Sequence, residues 1–126
     1  MCVFFTGSLY REASQAANLL KENKIDADLY NLRFLKPLDE DYLVSVMNIY
    51  KLVCFIEEGI KDGGLGEKIS SLALERNCTA KVLTLAAESR FIEEDKALGT
   101  REELLAENGL DGINIAKAAE KIYRSL

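Results

Sequence analysis

Two short, almost unbroken apolar runs constrain this chain more than any other feature: Cys2-Val3-Phe4-Phe5-Thr6 and Leu52-Val53-Cys54-Phe55-Ile56. Neither alternates between apolar and polar residues. Continuous runs of this length read as strands covered on both faces, the pattern of a parallel sheet sandwiched between helical layers. Parallel strands need long crossovers, and helical periodicity follows each run. After the first, Gly7 turns the chain and Ser8 can cap a helix. Leu9, Ala13, Ala16, Ala17 and Leu20 then fall on one helical face, which ends at Asn23 and Lys24. After the second, a helix is expected from about Gly64, with Leu65, Ile69, Leu72, Ala73 and Arg76 on one side.

Between and beyond these units the same alternation continues. Ala27–Leu32 alternates more, so it reads as a less buried strand. Pro37 prevents helix before it, and Asp39 can cap the helix that follows. Glu40 and Asp41 then sit in the first turn, where negative charge suits the helix dipole. The second apolar run extends over Lys51–Ile56 as the second strongly buried strand, and Lys81–Leu85 is a further strand signal, the fourth. Thr100-Arg101-Glu102-Glu103 is a capping box that opens a short helix ending near Gly109. Asp111 can cap a last helix with Ile115, Ala118, Ala119, Ile122 and Leu126 as its apolar stripe. The predicted class is α/β: a three-layer α/β/α arrangement around an open, mostly parallel sheet of four to five strands. Residues 1–126 are expected to form a single domain, with right-handed crossovers placing helices on both sheet faces.

Charge and residue usage exclude several functions. The net charge of -5 argues against a nucleic-acid or anionic-membrane partner, because both need a basic face. No apolar run approaches the roughly 20 residues of a membrane span. The chain has no histidine, which excludes His-based metal sites, Ser-His-Asp triads and Cys-His dyads within it. The 3 cysteines are widely spaced and form no Cys-x-x-Cys pair. Cys54 reads as a small buried hydrophobe. Free thiols fit a reducing cytoplasm, the expected location.

Three motifs are candidates for chemistry. Gly63-Gly64-Leu65-Gly66 follows a strand and opens a helix, the usual place for a phosphate. It fails both glycine-rich signatures: Ile69 stands where a dinucleotide fingerprint needs Gly or Ala, and Glu67 stands where a P-loop needs Lys. A tight turn with close helix–sheet packing is the better reading. Glu57 and Glu58 end a central strand, where open α/β sheets place their ligands. They suit acid/base work or magnesium, or else a solvated loop or subunit contact. Arg33, Lys36 and Asp39 suit a phosphate or carboxylate, or else structural ion pairs within a strand-to-helix turn.

Taken in order, these blocks resemble the C-terminal domain of transketolase-type enzymes, and among them the 1-deoxy-D-xylulose-5-phosphate synthases. The resemblance rests on Arg33-Phe34-Leu35-Lys36-Pro37-Leu38-Asp39, on Glu57, Glu58, Gly63, Gly64 and Gly66, and on Arg90-Phe91-Ile92, Arg101-Glu102-Glu103-Leu104-Leu105 and Gly109-Leu110-Asp111. It spans nearly the whole chain. One departure is Ala87-Glu88-Ser89, where the synthases carry Pro-Asp before the arginine. The resemblance implies a thiamine-diphosphate- and magnesium-dependent parent that condenses pyruvate with glyceraldehyde 3-phosphate and releases carbon dioxide. It implies that the thiamine-binding domains are absent from this chain, and with them every catalytic, cofactor and metal residue. What remains is packing against the parent's other domains and a two-fold homodimer. A first strand that begins at residue 1 suggests a shortened or separately encoded piece of such an enzyme. Arg33, Pro37, Asp39, Glu57, Glu58, Gly63, Gly64 and Gly66 are then structural or interface residues. Competing α/β classes fare worse. A phospho-receiver needs acidic residues at the end of its first strand, and a flavodoxin-like protein needs a Ser/Thr-rich loop there. Phe4-Phe5-Thr6-Gly7 and Gly7-Ser8-Leu9-Tyr10 supply neither. Two alternatives remain: the C-terminal domain or a split subunit of another transketolase-type enzyme, either transketolase itself or a 2-oxo-acid dehydrogenase β subunit, and a standalone, non-catalytic α/β interaction domain.

Overall fold

The computed structural model describes residues 1–32, 39–58, 65–87, 101–107 and 109–126. Four parallel strands form one sheet: β1 (Cys2–Phe5), β2 (Asp28–Asn31), β3 (Leu52–Glu58) and β4 (Lys81–Ala87), in spatial order β2-β1-β3-β4. The register sets Phe4 beside Tyr30 on one side and Phe55 on the other. The two apolar runs become the two central strands. Every β1 residue is buried, and β3 is buried from Leu52 to Glu57. The alternating segment becomes edge strand β2, which is only half-buried. Both outer strands are only partly buried, although each sends side chains to both faces: Leu29, Leu83 and Leu85 to one, Tyr30 and Val82 to the other.

Five described helices flank the sheet: α1 (Tyr10–Glu22), α2 (Glu40–Met47), α3 (Leu65–Glu75), α4 (Arg101–Glu107) and α5 (Gly112–Arg124). Side chains alternate across the strands and build two cores. Val3, Phe5, Cys54 and Ile56 pack with Leu9, Ala13, Ala16 and Leu20 of the first crossover and with Leu105, Leu110, Ile115 and Ala119. Cys2, Phe4, Val53 and Phe55 pack on the other face with Leu43, Val46 and Met47 of α2 and Ile69, Leu72 and Ala73 of α3. Thus α1 and α5 cover one face while α2 and α3 cover the other. This is the three-layer arrangement that right-handed connections give to an order of β2-β1-β3-β4.

Several local expectations hold at atomic detail. Asp39 is the N-cap of α2, its Oδ1 accepting from the Tyr42 amide at 3.1 Å. The α1 stripe Leu9, Ala13, Ala16 and Leu20 is fully buried, with Ala17 half-buried beside it. Others are corrected. Ser8 is not the α1 cap: Gly7–Leu9 forms a 3-10 turn closed by the Leu9 amide on the Thr6 carbonyl, and α1 starts at Tyr10. Asp111 occupies the α5 N-cap, but its Oδ1 accepts from the Asn114 side-chain Nδ2 at 2.6 Å instead of a backbone amide. Arg76 lies past the end of α3 and is no part of its buried face. Its guanidinium reaches Asp41 at 3.1 Å and Glu40 at 4.0 Å. Exposed pairs of this kind contribute roughly 0–1 kcal/mol. Leu126 lies beyond the end of α5 and is exposed, outside the stripe assigned to it. The side chain of Leu65, and the capping residue Thr100, lie outside the described positions.

Three helices end in the same hydrogen-bond pair. After α1, Ile25 and Lys24 donate to Leu20 and Lys21; after α3, Cys78 and Asn77 donate to Ala73 and Leu74; after α4, Leu110 and Gly109 donate to Leu105 and Ala106. This is the Schellman closure, which needs one left-handed residue. Gly109 adopts φ 74° freely, whereas Lys24 is held at φ 64° and Asn77 at φ 55°. A side chain in that region costs about 1–2 kcal/mol, and glycine returns part of the gain through unfolded-chain entropy. Lys24→Gly should therefore raise stability by about 0.5–1 kcal/mol, read as a higher urea midpoint with an unchanged slope. A lowered midpoint would show that the exposed lysine contributes more than its backbone angle costs.

Candidate functional site

The strand order reverses direction between β1 and β3, so the ligand position typical of open α/β sheets is the carboxyl edge of these two strands. Glu57 and Glu58 close β3 at that edge. They do not act as a pair, because successive strand residues point to opposite faces. Glu57 points to the α3 side and is 8% exposed. Its Oε1 accepts a hydrogen bond of 3.2 Å from the Gly66 amide in the first turn of α3. Glu58 is half-buried and has partners of its own.

The Glu57 contact decides what the glycine segment can do. A helix amino terminus attracts anions because its first amides lack intrahelical acceptors and the dipole is positive there. Here a carboxyl oxygen of the same chain holds one of those amides, and Glu67 adds another acidic residue in the first turn. Gly66 also lies against β4. A Cβ at this position would meet Thr84 Cγ2, with Thr84 Oγ1 at 3.0 Å and Thr84 Cβ at 3.3 Å. The glycine is thus needed for close helix–sheet contact. Ser70 Oγ donates to the Gly66 carbonyl at 2.9 Å and ties down the same turn.

The described start of α3 does not fit a thiamine diphosphate group. The Gly66 amide is taken by Glu57, and Glu67 adds a second carboxyl in the first turn, with Lys68 as the basic residue that follows it. Among the described residues, no three His, Cys, Asp or Glu side chains gather where they could hold a metal ion. Of the other expected site residues, Asp39 is a helix cap. Arg33, Lys36, Pro37, Gly63 and Gly64 lie outside the described residues, as do Arg90, Phe91 and Ile92. Glu57→Ala should lower stability by about 1–2 kcal/mol, because it leaves the Gly66 amide without its acceptor. Glu57→Gln keeps an acceptor and should recover at least half of that loss. Equal losses for both variants would show that packing of the side chain, not the hydrogen bond, is what matters.

Two further groupings escaped the sequence. Tyr50 donates to Asp28 Oδ2 at 2.6 Å, and the Tyr30 and Tyr50 hydroxyls lie 3.0 Å apart. Burial first, then the hydrogen bonds to Asp28 and Tyr30, raise the Tyr50 hydroxyl above the ordinary tyrosine range, so it remains a proton donor. Asn23 Nδ2 donates to Glu120 at 3.2 Å and Arg124 Nε donates to Glu120 at 2.8 Å, joining the end of α1 to α5. The Tyr50–Asp28 and Asn23–Glu120 contacts join residues distant in sequence and no local pattern marks them, whereas Glu120 and Arg124 are an i,i+4 pair within α5. Cys2 and Cys54 are free and buried, and burial above all pushes each thiol up to about 12. Neither is a thiolate at neutral pH, which removes them as nucleophiles. No helix among the described residues is long and apolar enough to cross a membrane.

Comparison with known proteins finds likeness in both sequence and fold. The family model described as "Transketolase, C-terminal domain" matches residues 1–115. The 1-deoxy-D-xylulose-5-phosphate synthase of Treponema pallidum (strain Nichols) is 38% identical over 115 residues, which is 91% of this chain and 18% of that protein. The synthase of Caldanaerobacter subterraneus subsp. tengcongensis is 32% identical over 126 residues, 100% of this chain and 20% of that protein. A solved structure titled "Split gene transketolase, inactive beta4 tetramer" superposes with a TM-score of 0.79 at 26% identity, covering 95% of this chain and 38% of that one. The chain therefore spans about a fifth of the length of the curated relatives it matches.

Proposed function

The chain belongs to the transketolase C-terminal domain family, and on that premise we propose that it is the C-terminal domain of a thiamine-diphosphate-dependent 1-deoxy-D-xylulose-5-phosphate synthase. One observation carries the reading. Relatives of that name align with nine-tenths or more of this chain at 32% and 38% identity, while the chain accounts for only 18–20% of their length. In this reading the whole enzyme condenses pyruvate with glyceraldehyde 3-phosphate. The groups that touch cofactor, magnesium and substrates belong to domains outside this chain. This domain packs against those domains and buries surface in a homodimer in the cytoplasm. Its own chemistry supports that division of labour: the described start of α3 is closed by Glu57, and the buried thiols are protonated.

The likeness to the split-gene transketolase chain favours a second reading, in which this chain is part of a separately encoded subunit of a transketolase-type enzyme. Two experiments test the first. Titrating the chain with thiamine diphosphate and magnesium should release no saturable heat; a micromolar site would overturn the division of labour. A chimera carrying this chain in place of the C-terminal domain of the Treponema pallidum synthase should form product from pyruvate and glyceraldehyde 3-phosphate. A chimera that folds, dimerises and binds cofactor without forming product would refute the domain assignment.

A further inference from the structure

We draw no further inference here: the strongest candidate, the cavity of about 280 Å³ between α1 and the α4–α5 turn, lined by Arg11, Glu12, Gln15, Leu105, Ala106 and Asp111, carries nothing because Arg11 and Glu12 are already engaged with partners of their own and nothing in the structure shows what would fill it.

Discussion

Phe4→Ala should lower the stability of this chain by about 3–5 kcal/mol, the largest loss expected of any single substitution considered. Phe4 is fully buried on the central strand β1. Its ring stacks on Phe55 at 4.7 Å and 10° and on Tyr30 at 5.0 Å and 22°, so three neighbouring strands share one aromatic row. Truncation leaves a cavity in the α2–α3 core and removes both ring pairs, each contributing roughly 0.5–1.5 kcal/mol beyond burial. Domains of this size have only about 5–15 kcal/mol in total, so the variant should sit near the unfolding threshold at 37 °C. Urea denaturation followed by circular dichroism measures the change. Phe4→Leu keeps most of the volume and should cost no more than about 1.5 kcal/mol. A loss under about 1 kcal/mol for Phe4→Ala would mean that the core collapses around the missing ring and that the aromatic row does not hold the sheet.

The same row shows why so much of the fold could be read from sequence. Phe4 and Phe55 lie in runs without polar interruption, and only a strand covered on both faces tolerates that. The runs therefore marked β1 and β3 as strands covered on both faces before any pairing was known, and the structure sets both at the centre of the sheet. The alternation of residues 27–32 marked β2 as a less buried strand for the converse reason, and the structure sets it at the sheet edge. Helix starts were less legible because a cap is a geometric event that several residues can satisfy. Asp39 meets the Tyr42 amide as its position predicts. Ser8 loses the role to a 3-10 turn, and Asp111 turns to Asn114.

The candidate site was legible in residue type and not in role. Glu57 and Gly66 stood out because acidic and glycine residues cluster at the end of a buried strand. Sequence alone could not show that they meet each other, since 9 positions separate them. Nor could it show that Glu57 and Glu58 face apart until the strand was found to run through both. The sequence preference for a structural glycine over a phosphate loop gains a physical basis from that contact: the acceptor is internal. Thr84 carried no signal, because its importance comes only from the register that sets β4 beneath α3.

That register gives the second large expected effect. Alanine normally exceeds glycine by up to about 1 kcal/mol inside a helix, so propensity alone would make Gly66→Ala stabilising. Sterics oppose it. The new methyl would press on Thr84 Cγ2, Oγ1 and Cβ, and those atoms belong to a stiff β-branched side chain on a paired strand. Overpacking of this kind costs about 1–3 kcal/mol. The variant should therefore lose about 1–2 kcal/mol, and Gly66→Val, with its branched side chain, should lose more. Thr84→Ser removes Cγ2 alone and should restore at least half of the loss when combined with Gly66→Ala, while changing little in the wild-type background. A double-mutant cycle in urea reads this as a coupling of about 1 kcal/mol. Additive effects would show that α3 shifts away from β4 to admit the methyl. Stabilisation by Gly66→Ala would show that propensity wins, and that close helix–sheet contact is not why glycine stands at the start of α3.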